Sequence, residues 1–242
     1  MSIYIGVNGV AKRIVSGYIG NSSGNAEIIY KSGIVPSGYI PVEYIFNDHN
    51  NLNKIDTGII PTTYTRLIAK MSIGNNFPNP QPRDSYVDRD APFRQFIGNG
   101  NISIDIRRYL TYSNASPIRY LKFICGAKTH QINFALNTIY TIDFNRNANK
   151  ETYLNNELIY TNTSAFTGTD SIKLFNSGNQ RDTKLYSCSI YQSMLTGVLT
   201  REYIPCLKIE GEVAGLYEIK TGIFYSGENE DSHFSAGPII TE

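Results

Sequence analysis

The sequence has no tryptophan, only three cysteines and no long apolar run. The odd cysteine count and the lack of a CxxC pair exclude a disulfide framework and predict free, mostly buried thiols. A Cys188–Cys206 bridge is the alternative if their strands adjoin.

No stretch approaches the roughly 20 apolar residues that a membrane-spanning helix needs. The formal net charge of +1 favours neither nucleic acid nor an anionic membrane as a partner. The first residues lack the basic and apolar regions of a signal peptide, so we expect synthesis in a cytoplasm.

Motifs of enzymes and metal sites are also missing. His49, His130 and His233 lie far apart, without the HExxH spacing of a zinc site. There is no phosphate-binding loop or GxGxxG, and no Glu-x-Asp-x-Glu strand that could carry the acid pair of a sandwich glycosidase. The acidic segment Glu228-Asn229-Glu230-Asp231 is typical of a solvated turn. Residues 145–149 offer amide oxygens to calcium but contain an arginine and no carboxylate. We therefore predict no enzymatic activity, no cofactor and no metal site.

The sequence is instead rich in short segments in which apolar and polar residues alternate, and it contains 18 Tyr and 11 Phe. A period of two is typical of a strand with one buried face. The pair Asn155-Asn156 predicts a tight hairpin. Residues 75–92 contain too much proline for a central strand and are predicted to form a loop. Only residues 193–197 favour a short helical turn. Frequent turns predict an all-β, antiparallel sandwich. The predicted strands are residues 65–73, 102–106, 120–125, 140–144, 152–154, 157–160, 171–175 and 184–191.

Residues 1–33 contain a repeat. Tyr4-Ile5-Gly6-Val7-Asn8-Gly9 and Tyr18-Ile19-Gly20-Asn21 begin two copies, each of which predicts a strand, a turn and a second strand. The Asn8-Gly9 pair is a strong hairpin signal because both residues tolerate positive φ. Since two hairpins bury little surface alone, we expect them to pack on another molecule or, alternatively, on the main sandwich. Residues 34–38 are predicted to be a linker, because Pro and Gly interrupt regular structure there.

The two ends of the remaining chain carry a family resemblance. One end reads Gly38-Tyr39-Ile40-Pro41-Val42-Glu43-Tyr44-Ile45 and then Ile55-Asp56-Thr57-Gly58-Ile59; the other includes Glu202-Tyr203-Ile204-Pro205-Cys206 and Phe234-Ser235-Ala236-Gly237-Pro238. These segments resemble a concanavalin A-like and laminin-G-like lectin module of tailed bacteriophages and prophages of gut Gram-positive bacteria. The Tyr-Ile-Gly-Val-Asn-Gly repeat is similar to the start of phage tail and appendage proteins. The resemblance implies a jelly-roll β-sandwich over residues 39–242, preceded by a hairpin repeat that attaches it to the virion.

The function that the resemblance implies is that of a non-enzymatic virion structural protein. It would be a tail or baseplate appendage or a receptor-binding protein, located in the virion, whose sandwich recognises host cell-surface carbohydrate. Other virion proteins would bind residues 1–33, and a symmetric homo-oligomer such as a trimer would form. One alternative is a decoration, head-fibre or baseplate scaffold protein that contacts only phage proteins. A carbohydrate-active enzyme is the least favoured alternative.

Saccharides dock on an aromatic ring beside amide and guanidinium groups that give oriented hydrogen bonds. We expect the proline-rich loop and the turn at residues 176–181 to rim one such surface. The candidate carbohydrate-binding residues are Tyr86, Arg89, Arg94, Tyr112, Asn114, Asn176, Asn179 and Arg181. The resemblance assigns virion attachment to the hairpin repeat, represented by Tyr4, Gly6, Asn8, Gly9, Tyr18 and Gly20.

Overall fold

A computed structural model describes residues 4–7, 10–13, 16–20, 26–31, 35–47, 53–74, 94–99, 101–109, 118–176, 182–193, 195–227 and 234–240. These residues are mostly strand. The only helix among them is a 3-10 turn at Glu210–Glu212, and no helix in this part of the chain is long and apolar enough to span a membrane. In chain order, the strands are β1 (Tyr4–Val7), β2 (Val10–Arg13), β3 (Ser16–Gly20), β4 (Ala26–Lys31), β5 (Tyr39–Pro41), β6 (Ile45–Phe46), β7 (Ile55–Asp56), β8 (Arg66–Ile73), β9 (Arg94–Gly98), β10 (Ile102–Tyr109), β11 (Ile118–Cys125), β12 (Lys128–Asn133), β13 (Ile139–Phe144), β14 (Glu151–Leu154), β15 (Glu157–Thr161), β16 (Lys173–Leu174), β17 (Thr183–Tyr191), β18 (Leu199–Lys208), β19 (Val213–Glu218), β20 (Ile223–Tyr225) and β21 (Ser235–Ala236).

Two antiparallel sheets form the body of the protein. The large sheet has the order β15-β14-β13-β8-β17-β18-β19-β20, and β5, β6 and β21 pair beside this path. The small sheet has the order β12-β11-β10-β9-β16-β7. The chain crosses between the two sheets several times, so neighbouring strands are often far apart in sequence. The strand β8, for example, lies between β13 and β17.

The inner faces of the two sheets share one apolar core. On β8, Leu67, Ala69, Met71 and Ile73 have no exposed surface, as the alternation predicts. The rings of Phe123 on β11 and Phe144 on β13 lie 5.9 Å apart and so join the small sheet to the large one. Full burial of such a side chain stabilises a fold by about 1.5–3 kcal/mol. The prediction of an all-β, antiparallel architecture is therefore confirmed, with two sheets facing each other across the core.

The local predictions have mixed outcomes. Asn155 and Asn156 adopt φ of 50° and 68° between β14 and β15, so the predicted tight hairpin is confirmed. Within the segment 193–197, where a short helical turn was predicted, residues 195–197 form a turn that is not part of a helix and that leads into β18. The hairpin predictions at the N-terminus are confirmed as the pairings β1–β2 and β3–β4. The turn residues Asn8 and Gly9, the loop 75–92 and the acidic segment 228–231 lie outside the described residues.

The three cysteines are free and buried, as predicted. Cys188 and Cys206 lie on adjacent strands, but the register places Cys188 opposite Tyr203, three residues away from Cys206. The strands adjoin without aligning the two sulfur atoms, so the alternative of a disulfide is wrong. Burial raises the pKa of both thiols to about 12.

One histidine joins the edges of the two sheets. His130 on β12 stacks on Tyr160 of β15, with ring centroids 4.7 Å apart and an interplanar angle of 6°. Desolvation lowers the pKa of His130, which favours the neutral ring in this stack. His49 and His233 lie outside the described residues.

Candidate functional site

The outer face of the large sheet carries polar and aromatic side chains. Because strand residues alternate between faces, the buried residues of β8 leave Arg66, Ile68, Lys70 and Ser72 on the outer face. The register then fixes their neighbours. Asp143 of β13 lies opposite Ile68, diagonal to Arg66, and Tyr191 of β17 lies directly opposite Arg66.

Arg66 and Asp143 form a bidentate ion pair at one end of this face. Arg66 donates from Nε to Oδ1 of Asp143 at 2.7 Å and from an Nη to Oδ2 at 2.6 Å. The guanidinium also lies 5.2 Å from the centre of the Tyr191 ring. Burial opposes the charge on Arg66, but the bonds and the attraction to Asp143 outweigh it, so the pKa of Arg66 is raised. This geometry holds a flat, charged donor group in a single orientation.

A second arginine extends the pair toward β14. Nε of Arg146 lies 3.6 Å from Oδ2 of Asp143, and its guanidinium lies 4.5 Å from the centre of the Tyr153 ring. Tyr153 is directly opposite Asp143 in the strand register. Its hydroxyl donates to Oε2 of Glu151 at 2.7 Å. We call Arg66, Asp143, Arg146, Glu151, Tyr153 and Tyr191 the arginine cluster.

Hydrogen bonds within the arginine cluster shift two pKa values. The pKa of Glu151 is lowered chiefly because Tyr153 and then Asn147 donate to its carboxylate. The same bond raises the pKa of Tyr153, since ionisation of the phenol would place two negative charges side by side. At neutral pH, Glu151 is therefore a carboxylate and Tyr153 a neutral donor.

The loop that supplies Arg146 is held by its own backbone. Asn145 and Lys150 adopt φ of 58° and 54°, and two backbone hydrogen bonds of 2.8 Å close the loop, from Arg146 N to Glu151 O and from Lys150 N to Asn147 O. The buried Asn145 side chain donates to the carbonyl of Thr65 at 3.0 Å. These bonds fold the loop back against the end of β8, so Arg146 reaches Asp143 instead of extending into solvent.

The same loop is the one that the sequence offered as a weak calcium candidate. Asp143 is bound by Arg66 and Arg146, and Glu151 accepts bonds from Tyr153 and Asn147. In the part of the chain that the structure describes, no three His, Cys, Asp or Glu side chains come together. The arrangement is thus an internally neutralised polar surface with two aromatic rings. Such a surface can exchange hydrogen bonds with hydroxyl groups and stack on a sugar ring.

Of the residues that the sequence analysis selected, only Arg94 and Asn176 lie in the described part of the chain, and both lie away from the arginine cluster. Arg94 begins β9 and Asn176 follows β16, so both belong to the small sheet. Asn176 donates to the carbonyl of Gly98, which ends β9 about 13 Å from Arg94 at strand spacing. The backbone of Arg94 and the hydrogen bond of Asn176 thus lie at different ends of β9. The other candidates lie outside the described residues: Tyr86, Arg89, Tyr112, Asn114, Asn179 and Arg181.

Sequence reasoning missed the arginine cluster. The one available signal was Asp143, a charged residue on the polar face of an otherwise apolar strand. A carboxylate there needs either water or a cation. The partner, Arg66, is 77 residues away in the chain, and only the pairing of β8 with β13 identifies it.

No protein-family model matches the chain, and no curated protein matches it significantly.

Proposed function

We propose that this chain is a non-enzymatic structural protein of a bacteriophage virion, a tail or baseplate appendage or receptor-binding protein, whose β-sandwich recognises carbohydrate on the host surface. The observation that carries the carbohydrate part is the arginine cluster, where two aromatic rings lie beside two oriented guanidinium groups. The assignment to a virion rests on the resemblance of the sequence to phage lectin modules and appendage proteins. The finer fold that we propose is a jelly roll of the concanavalin A-like and laminin-G-like type.

The arginine cluster suits a neutral, hydroxyl-rich ligand. Its charges are already paired, so binding a hydroxyl group leaves no buried charge without a partner. Arg146, Asn147 and Glu151 would exchange hydrogen bonds with hydroxyls, and the half-exposed Tyr153 and Tyr191 would contact the apolar face of a sugar ring. Since the ion pairs fix these groups before binding, little conformational freedom is lost when a ligand arrives.

The proposed attachment segment is residues 1–33, with Tyr4, Gly6, Asn8, Gly9, Tyr18 and Gly20 as the predicted attachment residues. Two-stranded sheets of four to six residues per strand bury little surface alone. A partner virion protein or a symmetry mate would supply the missing surface. Several copies on one particle would convert weak glycan contacts into strong attachment, which is the physical reason to expect a symmetric homo-oligomer.

Binding to purified host cell-wall polysaccharide tests the carbohydrate proposal. We expect the full chain to bind and the double variant Arg146→Ala/Tyr153→Ala to lose most binding, because a donor and a ring are removed while the Arg66–Asp143 pair stays. The matched control is Lys208→Ala/Tyr217→Ala, which removes a cation and a half-exposed tyrosine elsewhere on the same sheet. Equal binding by both variants and the unmodified chain would reject the arginine cluster as the site. A map of the intact particle would test the virion assignment.

A second candidate function is a scaffold that contacts only other virion proteins. Two exposed apolar side chains in one turn favour it: Leu195 is 59% exposed and Val198 64% exposed. Such a pair is a natural contact for another protein. Substitution of both by serine should abolish incorporation into particles under this function. Under the glycan-binding function, incorporation should persist.

A further inference from the structure

A second region of the same outer face combines aromatic rings with cations. In β17, the register against β8 shifts between Leu185 and Ser187. Leu185 and Cys188 both enter the core, so Tyr186 is an additional residue that the bulge turns to the outer face. Bulges of this kind change the direction of a side chain at the cost of regular pairing. Here the bulge adds a tyrosine to the middle of the sheet.

Three aromatic side chains and two lysines meet at this bulge. The ring of Tyr186 lies 5.2 Å from that of Tyr44, and Tyr44 lies 6.0 Å from Phe46. Nζ of Lys184 lies 4.7 Å from the centre of the Tyr44 ring, and Nζ of Lys70 lies 5.7 Å from that of Tyr186. We call Tyr44, Phe46, Lys70, Lys184 and Tyr186 the lysine–tyrosine patch.

The two lysines are close neighbours on the sheet. Lys184 lies opposite Ser72, which is two residues from Lys70 on the same face of β8. Diagonal neighbours of this kind have Cα atoms about 7–8 Å apart. Two positive charges at this separation repel each other. Each ammonium group makes a cation–π contact with a tyrosine ring instead of an ion pair.

The patch has no internal counter-charge among the described residues. Neither ammonium has a carboxylate within salt-bridge distance there, unlike both guanidinium groups of the arginine cluster. The elements packed beside the lysines present Ile139 and Thr141 from β13, Ser187 from β17 and Ser235 from β21. Asp182, the carboxylate nearest to Lys184 in the chain, packs against Gly74 at the end of β8. The two ammonium groups are therefore not paired with any carboxylate in the described part of the chain.

We propose that the lysine–tyrosine patch is a binding site for the anionic groups, phosphate or carboxylate, of an acidic polysaccharide. Lys70 and Lys184 would each contact one anionic oxygen, and the rings of Tyr44 and Tyr186 would support the adjoining sugar. The patch is a site separate from the arginine cluster, and it binds its ligand whether or not the cluster binds a neutral glycan. A nucleic acid fits less well, because nucleic-acid surfaces extend a basic stripe over many phosphates and here only two cations converge.

The experiment is a binding titration of the full chain with four oligomers of similar length. They are oligogalacturonate, poly(glycerol phosphate), uncharged dextran and single-stranded DNA. We expect binding of one or both of the first two, weakening with added salt, and no binding of dextran at this site. The two anionic oligomers distinguish carboxylate from phosphate as the preferred group.

The variant Lys70→Gln/Lys184→Gln keeps polar side chains only one atom shorter than lysine and removes both charges. We expect its affinity for the anionic oligomer to fall at least about tenfold, because each charged hydrogen bond contributes roughly that factor. The matched control Lys128→Gln/Lys220→Gln removes two exposed charges elsewhere and should bind as the unmodified chain does. Thermal unfolding of each variant checks that the fold is retained.

Three results would overturn the proposal. One is failure of both anionic oligomers to bind the unmodified chain, and another is equal loss in the control and in the Lys70→Gln/Lys184→Gln variant. The third is tighter binding of single-stranded DNA than of either acidic oligomer, which would identify a nucleic acid as the ligand. Loss of neutral-glycan binding in Arg146→Ala/Tyr153→Ala concerns the other site and leaves this proposal standing.

Discussion

The arginine cluster and the lysine–tyrosine patch lie on the same face of the same sheet, yet they treat charge in opposite ways. In the cluster, each guanidinium faces Asp143, and the remaining carboxylate, Glu151, accepts hydrogen bonds. In the patch, two ammonium groups face tyrosine rings. The charges of the cluster are therefore neutralised within the fold, whereas the two ammonium groups of the patch have no carboxylate partner among the described residues. The difference shows that the neighbours of a cation, and not the number of cations on a face, decide whether that cation is available to bind a ligand.

The two regions should differ most in how much a substitution in each changes the free energy of unfolding. Asp143→Ala removes the shared acceptor of the cluster and leaves Arg66, whose side chain is only 22% exposed, without its partner. We expect a loss of about 2 kcal/mol in the free energy of unfolding, since a half-buried charge loses its counter-ion. Urea denaturation measures it. A loss below about 0.5 kcal/mol would mean that water replaces the carboxylate and that the cluster does not stabilise itself.

The same measurement on the patch should give a much smaller change. Lys184→Gln removes one of two like charges and breaks no ion pair in the described part of the chain. We expect a change within about 0.5 kcal/mol, of either sign, because the lost cation–π contact offsets the relieved repulsion. A destabilisation as large as that of Asp143→Ala would erase the distinction between the two regions.

Lowering the pH should reduce the stability that the arginine cluster contributes and should leave the contribution of the lysine–tyrosine patch unchanged. The folded-state pKa of Glu151 lies below its ordinary value of 4.5. Its contribution is therefore present above pH 4.5 and is lost as the pH falls through the lower, folded-state pKa. We expect Glu151→Gln to have a shallower decline in urea midpoint between pH 5 and about pH 3 than the unmodified chain. Lys70→Gln/Lys184→Gln should follow the unmodified chain, and a parallel decline in all three would contradict the assignment to Glu151.

The smallest effect is expected at the thiols beneath both regions. Cys188 lies in the core opposite Ala69, and burial raises its pKa to about 12. Since the thiolate is the reactive form, native protein should not react with a disulfide reagent at pH 8, and all three cysteines should react after unfolding. The surface variants of both regions should remain unreactive. Rapid reaction of Lys70→Gln/Lys184→Gln would show that the bulge, and not only its charge, had been disturbed.

The alternation of apolar and polar residues predicted the strands well, whereas residue type predicted the candidate sites poorly. Leu67, Ala69, Met71 and Ile73 share a buried face because alternation alone decides which side chains point together. The Asn155-Asn156 turn was also readable, because both residues tolerate positive φ. Charge in a strand, in contrast, says nothing about its partner. Residue type alone predicted the sugar-binding candidates, and it could not indicate that Arg94 begins β9 while Asn176 bonds to the far end of that strand.

The sequence by itself determined that this protein is built from short antiparallel strands with one apolar face each. Only the tertiary structure decided that β8 lies between β13 and β17, which pairs Arg66 with Asp143, and that a bulge turns Tyr186 outward beside the two lysines. The reason is physical. Which face of a strand is apolar depends on residues two positions apart, whereas strand order and register depend on how two whole sheets enclose one core.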